Sequence, residues 1–184
     1  MDLDLLVKLT SKAWSLKILA LLNDGVPGRQ APLIAATGAS RTSFANSLEH
    51  LIRLGMIEKN PGHGHPLRPE FRLTPQGTVV AAMAQRILRS VPGDDAFSVL
   101  KRSWAVPILA VTQRPTRYSV IKSELGRITD RALSQSLGVL EDRDWLKRDF
   151  DLSQRSPFPT YHAVNDGLKV NQAVSLNDLP GVNL

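Results

Sequence analysis

A repeat of about 90 residues organises this chain. Residues 13–20 read Ala-Trp-Ser-Leu-Lys-Ile-Leu-Ala, and residues 103–110 read Ser-Trp-Ala-Val-Pro-Ile-Leu-Ala. Two of the three tryptophans, Trp14 and Trp104, coincide in this register, and both are predicted to lie in the core. Because 184 residues suffice for two small domains, the repeat predicts two copies of one fold, with the boundary at Pro92.

Further segments agree at nearly the same spacing. Ser47-Leu48 aligns with Ser136-Leu137 at an offset of 89, and Gly77 aligns with Gly167 at 90. Such small changes of offset are what loop insertions produce. The predicted domains are therefore residues 1–92, which include a linker helix at 77–90, and residues 93–184, which include a C-terminal tail that we expect to be frayed.

Each copy reads as three helices followed by two strands. Apolar stripes at helical spacing, hydroxyl-bearing caps and Gly- or Pro-rich turns set the boundaries. The first copy predicts helices at 11–22, 31–37 and 41–54, the last capped by Ser40, and strands at 56–59 and 70–74, with a loop at 60–66. The second predicts helices at 103–111, 120–124 (capped by Ser119) and 130–144 (capped by Thr129), and strands at 145–151 and 160–164. A further helix at 96–102, capped by Asp94-Asp95, is predicted between the copies.

Composition narrows the class of protein. The chain carries 23 basic and 17 acidic side chains, a net charge of +6, and no cysteine. Residues 1–92 hold eleven basic and six acidic groups (+5), and residues 93–184 hold twelve and eleven (+1). This balance favours a polyanionic partner, nucleic acid first, and excludes disulfides and thiol chemistry. Without an apolar run of membrane-spanning length or a basic leader, we expect a cytoplasmic protein that does not bind membranes.

A short helix, a tight turn and a capped longer helix form the helix-turn-helix plan, and the two strands that follow form a wing. The predicted fold class is therefore mainly α with small β-hairpins, two tandem winged helix-turn-helix domains joined by a helix. The longer helix would enter the major groove of double-stranded DNA with its N-terminal turn foremost, and the wing would contact the backbone. In the first copy these contacts are assigned to Ser40, Arg41, Thr42, Ser43 and Asn46 on the helix, and to Lys59, His63, His65, Arg68 and Arg72 on the wing.

The second copy is less suited to DNA. Its candidate contact residues are Thr129, Arg131, Ser134 and Gln135 on the helix and Lys147 and Arg148 on the wing. Asp130, however, stands at the contact end of the helix, where it would repel phosphate. The sequence therefore predicts that the second copy either binds DNA less strongly than the first or serves a packing role.

Both copies resemble the winged-helix domain of HxlR-type transcriptional regulators, which are similar to the MarR class. The resemblance rests on Lys12-Ala13-Trp14 and Arg102-Ser103-Trp104, each followed by Ile-Leu, on the capped recognition helices, and on an aromatic-x-Leu-Thr-x-x-Gly strand end at 71–77, degraded at 161–167. It covers about residues 10–90 and 100–170. It implies a sequence-specific transcriptional regulator.

The chain departs from that family in two respects. Family members usually carry one such domain and dimerise, whereas two copies here suggest a covalent pseudo-dimer. The family also often carries a cysteine near the first motif, and this chain has none, which excludes a thiol-oxidation sensor. Association of two chains into a homodimer and binding of an unidentified small-molecule effector stay open.

The same sequence features are also consistent with two other classes of function. A tandem winged-helix platform for protein docking would suit the acidic second half, and a plasmid-type replication initiator would carry the same two domains. We expect no enzyme activity and no cofactor, because no phosphate-binding loop or catalytic set is assembled. A metal site at His63 and His65 lacks a third ligand, so no metal is expected.

Overall fold

A computed structural model describes residues 2–60, 69–153 and 157–174. The chain is of mixed α+β type, with ten helices and two small antiparallel sheets in those ranges, which agrees with a mainly α fold. The elements in chain order are α1 (Leu3–Thr10), α2 (Ser15–Asn23), α3 (Gln30–Thr37), α4 (Arg41–Arg53), β1 (Ile57–Lys59), β2 (Phe71–Leu73), α5 (Pro75–Ser90), α6 (Asp94–Leu100), α7 (Ala105–Val111), β3 (Thr116–Arg117), α8 (Tyr118–Leu125), α9 (Asp130–Asp142), β4 (Leu146–Asp151), β5 (Phe158–Ala163) and α10 (Asn165–Val174).

The chain divides into two compact units. The first-copy unit is formed by Lys12–Arg89, and the second-copy unit is formed by Met1–Ser11 together with Ser90–Leu184. The predicted boundary at Pro92 lies close to the end of the first-copy unit. Residues 1–11, which were assigned to the first domain, belong instead to the second-copy unit.

In the first-copy unit, α2 packs against both α3 and α4. The apolar stripe of α4 supplies Phe44, Leu48 and Leu51, each at most 4 % exposed, to the core. Strands β1 and β2 pair antiparallel with Ile57 opposite Leu73. A single bridge between Arg29 and Glu70 adds the residue before α3 to the edge of this hairpin.

The second-copy unit repeats this order with a fuller sheet. Its three strands lie in the order β3-β5-β4, and both pairings are antiparallel. Strand β3 occupies the place that the single Arg29–Glu70 bridge has in the first copy, since each directly precedes the second helix of its copy. The stripe Leu133, Leu137 and Leu140 of α9 is buried, as the sequence predicts.

Helix α1 was not predicted and packs against α7 and α8. Its apolar side chains Leu6 and Leu9 are completely buried. The Thr10 hydroxyl donates a hydrogen bond to the carbonyl of Ser103 over 2.8 Å. Asp2 caps the helix by accepting from the backbone amide of Asp4 over 3.2 Å. Residues 2–10 thus complete the core of the second-copy unit.

The Thr74-x-x-Gly77 segment and its counterpart Val164-x-x-Gly167 have the same packing role in the two copies. The amide of Thr74 donates to the carbonyl of Met56, and the amide of Val164 donates to that of Trp145, each over 3.0 Å. Both carbonyls belong to residues just before the first strand of their hairpin. Three residues later, Gly77 and Gly167 lie so close to the same carbonyls that a Cβ atom would come within 1.8 Å and 2.0 Å of the oxygen.

Several predicted element boundaries are corrected. Helices α2 and α7 begin four and two residues later than predicted, because Trp14 and Trp104 occupy their N-cap positions. Both tryptophans were predicted to lie in the core, but they are only half-buried. Ser119 is not a cap, since α8 already begins at Tyr118. Asp94 and Asp95 lie within the first turn of α6, behind Gly93. The tail and the 60–66 loop beyond Asn60 lie outside the described residues.

Candidate nucleic-acid interface

The first turn of α4 presents polar side chains to solvent, whereas the apolar stripe of the same helix is buried. The Ser40 hydroxyl accepts a hydrogen bond from the Ser43 amide over 3.2 Å, so the predicted cap is confirmed. The side chains assigned to base or phosphate contact are exposed at this end of α4: Ser40, Arg41, Thr42, Ser43 and Asn46. Ser40 and Ser43 also share a hydroxyl–hydroxyl hydrogen bond of 3.0 Å. The fold thus holds these residues together on one exposed helix end.

The positive charge is concentrated in one unit. Lys12–Arg89 carries ten basic and four acidic side chains, a net charge of +6, whereas the second-copy unit carries thirteen of each and is neutral. The whole net charge of the chain therefore belongs to the unit that contains α4. The sequence division at Pro92 understates this difference because it leaves residues 1–11 and 90–92 in the first half.

The β1–β2 hairpin places one of its predicted contact residues in solvent and pairs another. Lys59 is exposed at the end of β1. The Arg72 side chain is also exposed, but it donates to the Glu58 carboxylate over 2.7 Å. His63, His65 and Arg68 lie outside the described residues. Among the predicted contacts of this hairpin, Lys59 is thus the described cation best placed for a phosphate.

A groove that the sequence did not predict runs between α3 and α4. It has a volume of about 510 Å³ and is lined by Gln30, Ala31, Ile34, Ala35, Arg41, Phe44 and Ala45. Apart from Gln30 and Arg41 its lining side chains are small or apolar, and Arg41 is the charged one. Within the described ranges, no hydrogen bond or ion pair is found for the Arg41 guanidinium. The groove is therefore an open, positively charged concavity beside the exposed end of α4.

The corresponding end of α9 is engaged in contacts within the chain. The Asp130 carboxylate accepts from the Lys122 ammonium over 2.7 Å and from the Tyr118 hydroxyl over 3.2 Å. That hydroxyl also lies 3.0 Å from the Asp130 carbonyl and 3.3 Å from the Ser134 hydroxyl. The Lys122 hydrogen bond, with a smaller contribution from Tyr118, holds the pKa of Asp130 below its ordinary value of 3.8. We call these four residues the α8–α9 cluster.

Some of the other candidate residues of the second copy are exposed to solvent, and others make contacts within the protein. Thr129 caps α9 by accepting from the Ala132 amide over 3.2 Å, as predicted. Arg131 and Gln135 are exposed, and Ser134 belongs to the α8–α9 cluster. On β4, Lys147 is ion-paired with Asp149 at 3.1 Å.

Two aromatic rings lie near Arg148 of the second hairpin. The Arg148 guanidinium lies 5.5 Å from the Phe150 ring centre and 6.0 Å from that of Tyr161. Burial raises the pKa of the Tyr161 hydroxyl. Phe150 and Leu152 are large apolar residues that are 59 % and 74 % exposed.

A smaller cavity of about 210 Å³ lies between the start of α7 and α9. It is lined by Arg102, Ser103, Trp104, Ala132, Gln135 and Ser136. Two of these residues, Arg102 and Trp104, form the Lys/Arg-x-Trp segment on which the sequence resemblance partly rests. The cavity offers the Trp104 side chain a partly open edge, in keeping with its half-buried state.

The described part of the chain contains neither a metal-binding cluster nor a membrane-spanning helix. No group of three His, Asp or Glu side chains lies there in an arrangement that would hold a metal ion. None of the helices at residues 2–60, 69–153 and 157–174 is both long enough and apolar enough to cross a bilayer.

The chain was also compared with known proteins. It gives no significant match to any protein-family model, any curated protein or any solved structure. Function is therefore inferred from the residues of its two copies.

Proposed function

We propose that this protein is a sequence-specific, double-stranded DNA-binding transcriptional regulator built from two winged helix-turn-helix units in one chain. The observation that carries the proposal is the exposed, Ser40-capped end of α4, in the unit that holds all of the net positive charge. Arginine pairs with guanine and asparagine with adenine in the major groove, while hydroxyl groups contact bases or phosphates. Arg41 and Asn46 supply these chemistries five positions apart on α4.

The element order supports this proposal. Each unit contains, in sequence, a helix, a bridge or short strand, two further helices and an antiparallel hairpin. A winged helix has this order, in which the third helix enters the major groove and the hairpin lies against the DNA backbone. The resemblance to HxlR-type regulators rests on the same segments and suggests the same role.

The first experiment is selection of bound sequences from a random duplex pool at near-physiological salt. We expect enrichment of a defined motif by the full chain. The Arg41→Ala variant should change the preferred bases, whereas Lys59→Ala should weaken binding to all duplexes alike and lower the slope of log affinity against log salt by about 1. Binding without any enrichment would refute sequence-specific recognition.

Arg53 offers a matched control on the same helix. It lies at the C-terminal end of α4 and is exposed, like Arg41 at the opposite end. Arg53→Ala removes the same charge from the unit, so it should lower affinity no more than a general loss of charge does and leave base preference unchanged. If Arg41→Ala and Arg53→Ala act identically, base contact by Arg41 is refuted.

A second candidate function is protein docking by the second-copy unit. It is favoured by the neutral charge of that unit and by the exposed Phe150 and Leu152, since aromatic and aliphatic side chains form the anchors of protein interfaces. A partner that binds with little dependence on salt, and that is lost in Phe150→Ser, would support it. Loss of DNA affinity in that variant would instead count against it.

A further inference from the structure

We propose that duplex DNA is held by one unit of this chain, Lys12–Arg89, at the open groove between α3 and α4, and that the equivalent groove of the second-copy unit is closed to DNA by the α8–α9 cluster. This inference rests on the proposed DNA-binding function. It goes beyond that function by stating which copy binds and what prevents the other from doing so.

The equivalence of the two grooves follows from the helices themselves. Helices α3 and α8 each have eight residues and end at a glycine with positive φ, Gly38 (71°) and Gly126 (66°). Helices α4 and α9 each have 13 residues and begin after a hydroxyl that caps the third amide, from Ser40 and Thr129. Positions within these helices can therefore be compared one by one.

At four such positions the two copies carry different chemistry. The first and fifth residues of α3 are Gln30 and Ile34, whereas α8 has Tyr118 and Lys122 there. The same two positions of α4 hold Arg41 and Ala45, and those of α9 hold Asp130 and Ser134. All four first-copy residues line the 510 Å³ groove. All four second-copy residues belong to the α8–α9 cluster.

The contacts within the α8–α9 cluster explain why the groove of the first copy is open and that of the second copy is closed. In the second copy, the Lys122–Asp130 ion pair of 2.7 Å and the Tyr118 hydroxyl join α8 to α9. These groups satisfy one another and place a carboxylate where the first copy has the Arg41 guanidinium. A phosphate approaching this end of α9 would meet the Asp130 charge and would have to compete with it for Lys122.

Charge complementarity identifies the occupant of the open groove. The first-copy unit carries +6 and the second-copy unit is neutral. Arg41 has no partner among the described residues, and the small side chains Ala31, Ala35 and Ala45 leave room beside it. A polyanion with regularly spaced charges is the ligand that such a surface attracts most strongly, and duplex DNA carries one charge per about 1.7 Å of its axis.

The test uses the full chain and a pair of matched variants. Arg41 and Arg131 are exposed arginines in the first turns of α4 and α9. Binding to a fluorescent duplex is followed by anisotropy over a range of salt concentrations. We expect Arg41→Ala to lower affinity about tenfold, and Arg131→Ala to leave affinity within twofold of that of the starting protein. Equal losses in the two variants, or a loss confined to Arg131→Ala, would overturn the inference.

A measurement on the unaltered protein avoids any effect of the substitutions on folding. Lysine acetylation is followed by mass spectrometry with and without duplex. Lys59 should become protected by DNA, whereas Lys147, whose side chain is 61 % exposed, should react as before. Protection of Lys147 equal to that of Lys59 would refute binding by one unit. Complete absence of duplex binding by the unaltered protein would instead refute the proposed function itself.

Discussion

The glycines that end the Thr74-x-x-Gly77 and Val164-x-x-Gly167 segments provide a sharp test of the repeat. Gly77 and Gly167 are the third residues of α5 and α10, where glycine normally costs about 0.5–1 kcal/mol relative to alanine. On helix propensity alone, Gly77→Ala and Gly167→Ala should stabilise the protein. The packing predicts the opposite.

The size of the effect follows from the carbonyl contacts. A Cβ on Gly77 would lie 1.8 Å from the Met56 oxygen, and real contacts essentially never fall below 3.0 Å, so the start of α5 must move by more than about 1 Å. That movement breaks the 3.0 Å hydrogen bond from the Thr74 amide to the same oxygen. It also disturbs the 2.9 Å bond from the Gly77 amide to the Thr74 hydroxyl. At about 1–2 kcal/mol for each disrupted buried bond, we expect a loss of about 2–4 kcal/mol.

Gly138 supplies the control. It lies inside α9 with no atom within 4 Å of its prospective Cβ, so Gly138→Ala should stabilise by about 0.5–1 kcal/mol. Urea unfolding followed by tryptophan fluorescence measures all three variants. The reasoning is refuted if Gly77→Ala and Gly167→Ala raise the unfolding midpoint as Gly138→Ala does.

Three further predictions concern the second-copy unit and the helix caps. Leu9→Ala, at a completely buried position of α1, should cost the unit formed by 1–11 and 90–184 about 2–5 kcal/mol in urea unfolding; an unchanged midpoint would contradict the packing of α1. Ser40→Ala and Thr129→Ala should each cost about 0.5–2 kcal/mol by the same measurement, and no loss would argue against the caps. Because Lys122 holds the pKa of Asp130 below 3.8, the ion pair stabilises the fold above about pH 4, and this stabilisation is lost as the pH falls through the lowered pKa. The Asp130→Asn variant should therefore lose less stability than the unaltered protein when the pH falls below about 4. An equal loss of stability in the two proteins would contradict the pairing.

The parts of this fold that depend on neighbouring residues were predictable from the sequence. A hydroxyl before an amphipathic stripe marks a helix start, and both Ser40 and Thr129 cap as expected. The stripes of α4 and α9 are buried for the same reason. The prediction that Ser119 caps α8 was wrong. A hydroxyl near the start of a short helix resembles a cap, but the backbone is already helical one residue earlier, at Tyr118.

Features that depend on distant contacts were missed. Helix α1 owes its burial to α7 and α8, which lie 95 to 122 residues further along the chain, and no local pattern indicates that partner. Strand β3 has two residues and exists through its pairing with Thr160 and Tyr161. The α8–α9 cluster joins residues eight to 16 positions apart on two helices, so the sequence placed Asp130 at the contact end of α9 without indicating its pairing with Lys122.

The two copies have changed most where change costs the fold least. Buried pairs such as Leu33 and Ile121 remain apolar because close packing penalises any loss or gain of volume. At an exposed position such as that of Arg41 and Asp130, a reversal of charge costs little stability, particularly when Lys122 compensates for it. A duplicated DNA-binding domain can thus lose its affinity in one copy by a few surface substitutions and keep its fold. Under the proposed function, the covalent link would carry the neutral copy to every site that the charged copy binds, where its surface would be available for contacts of another kind.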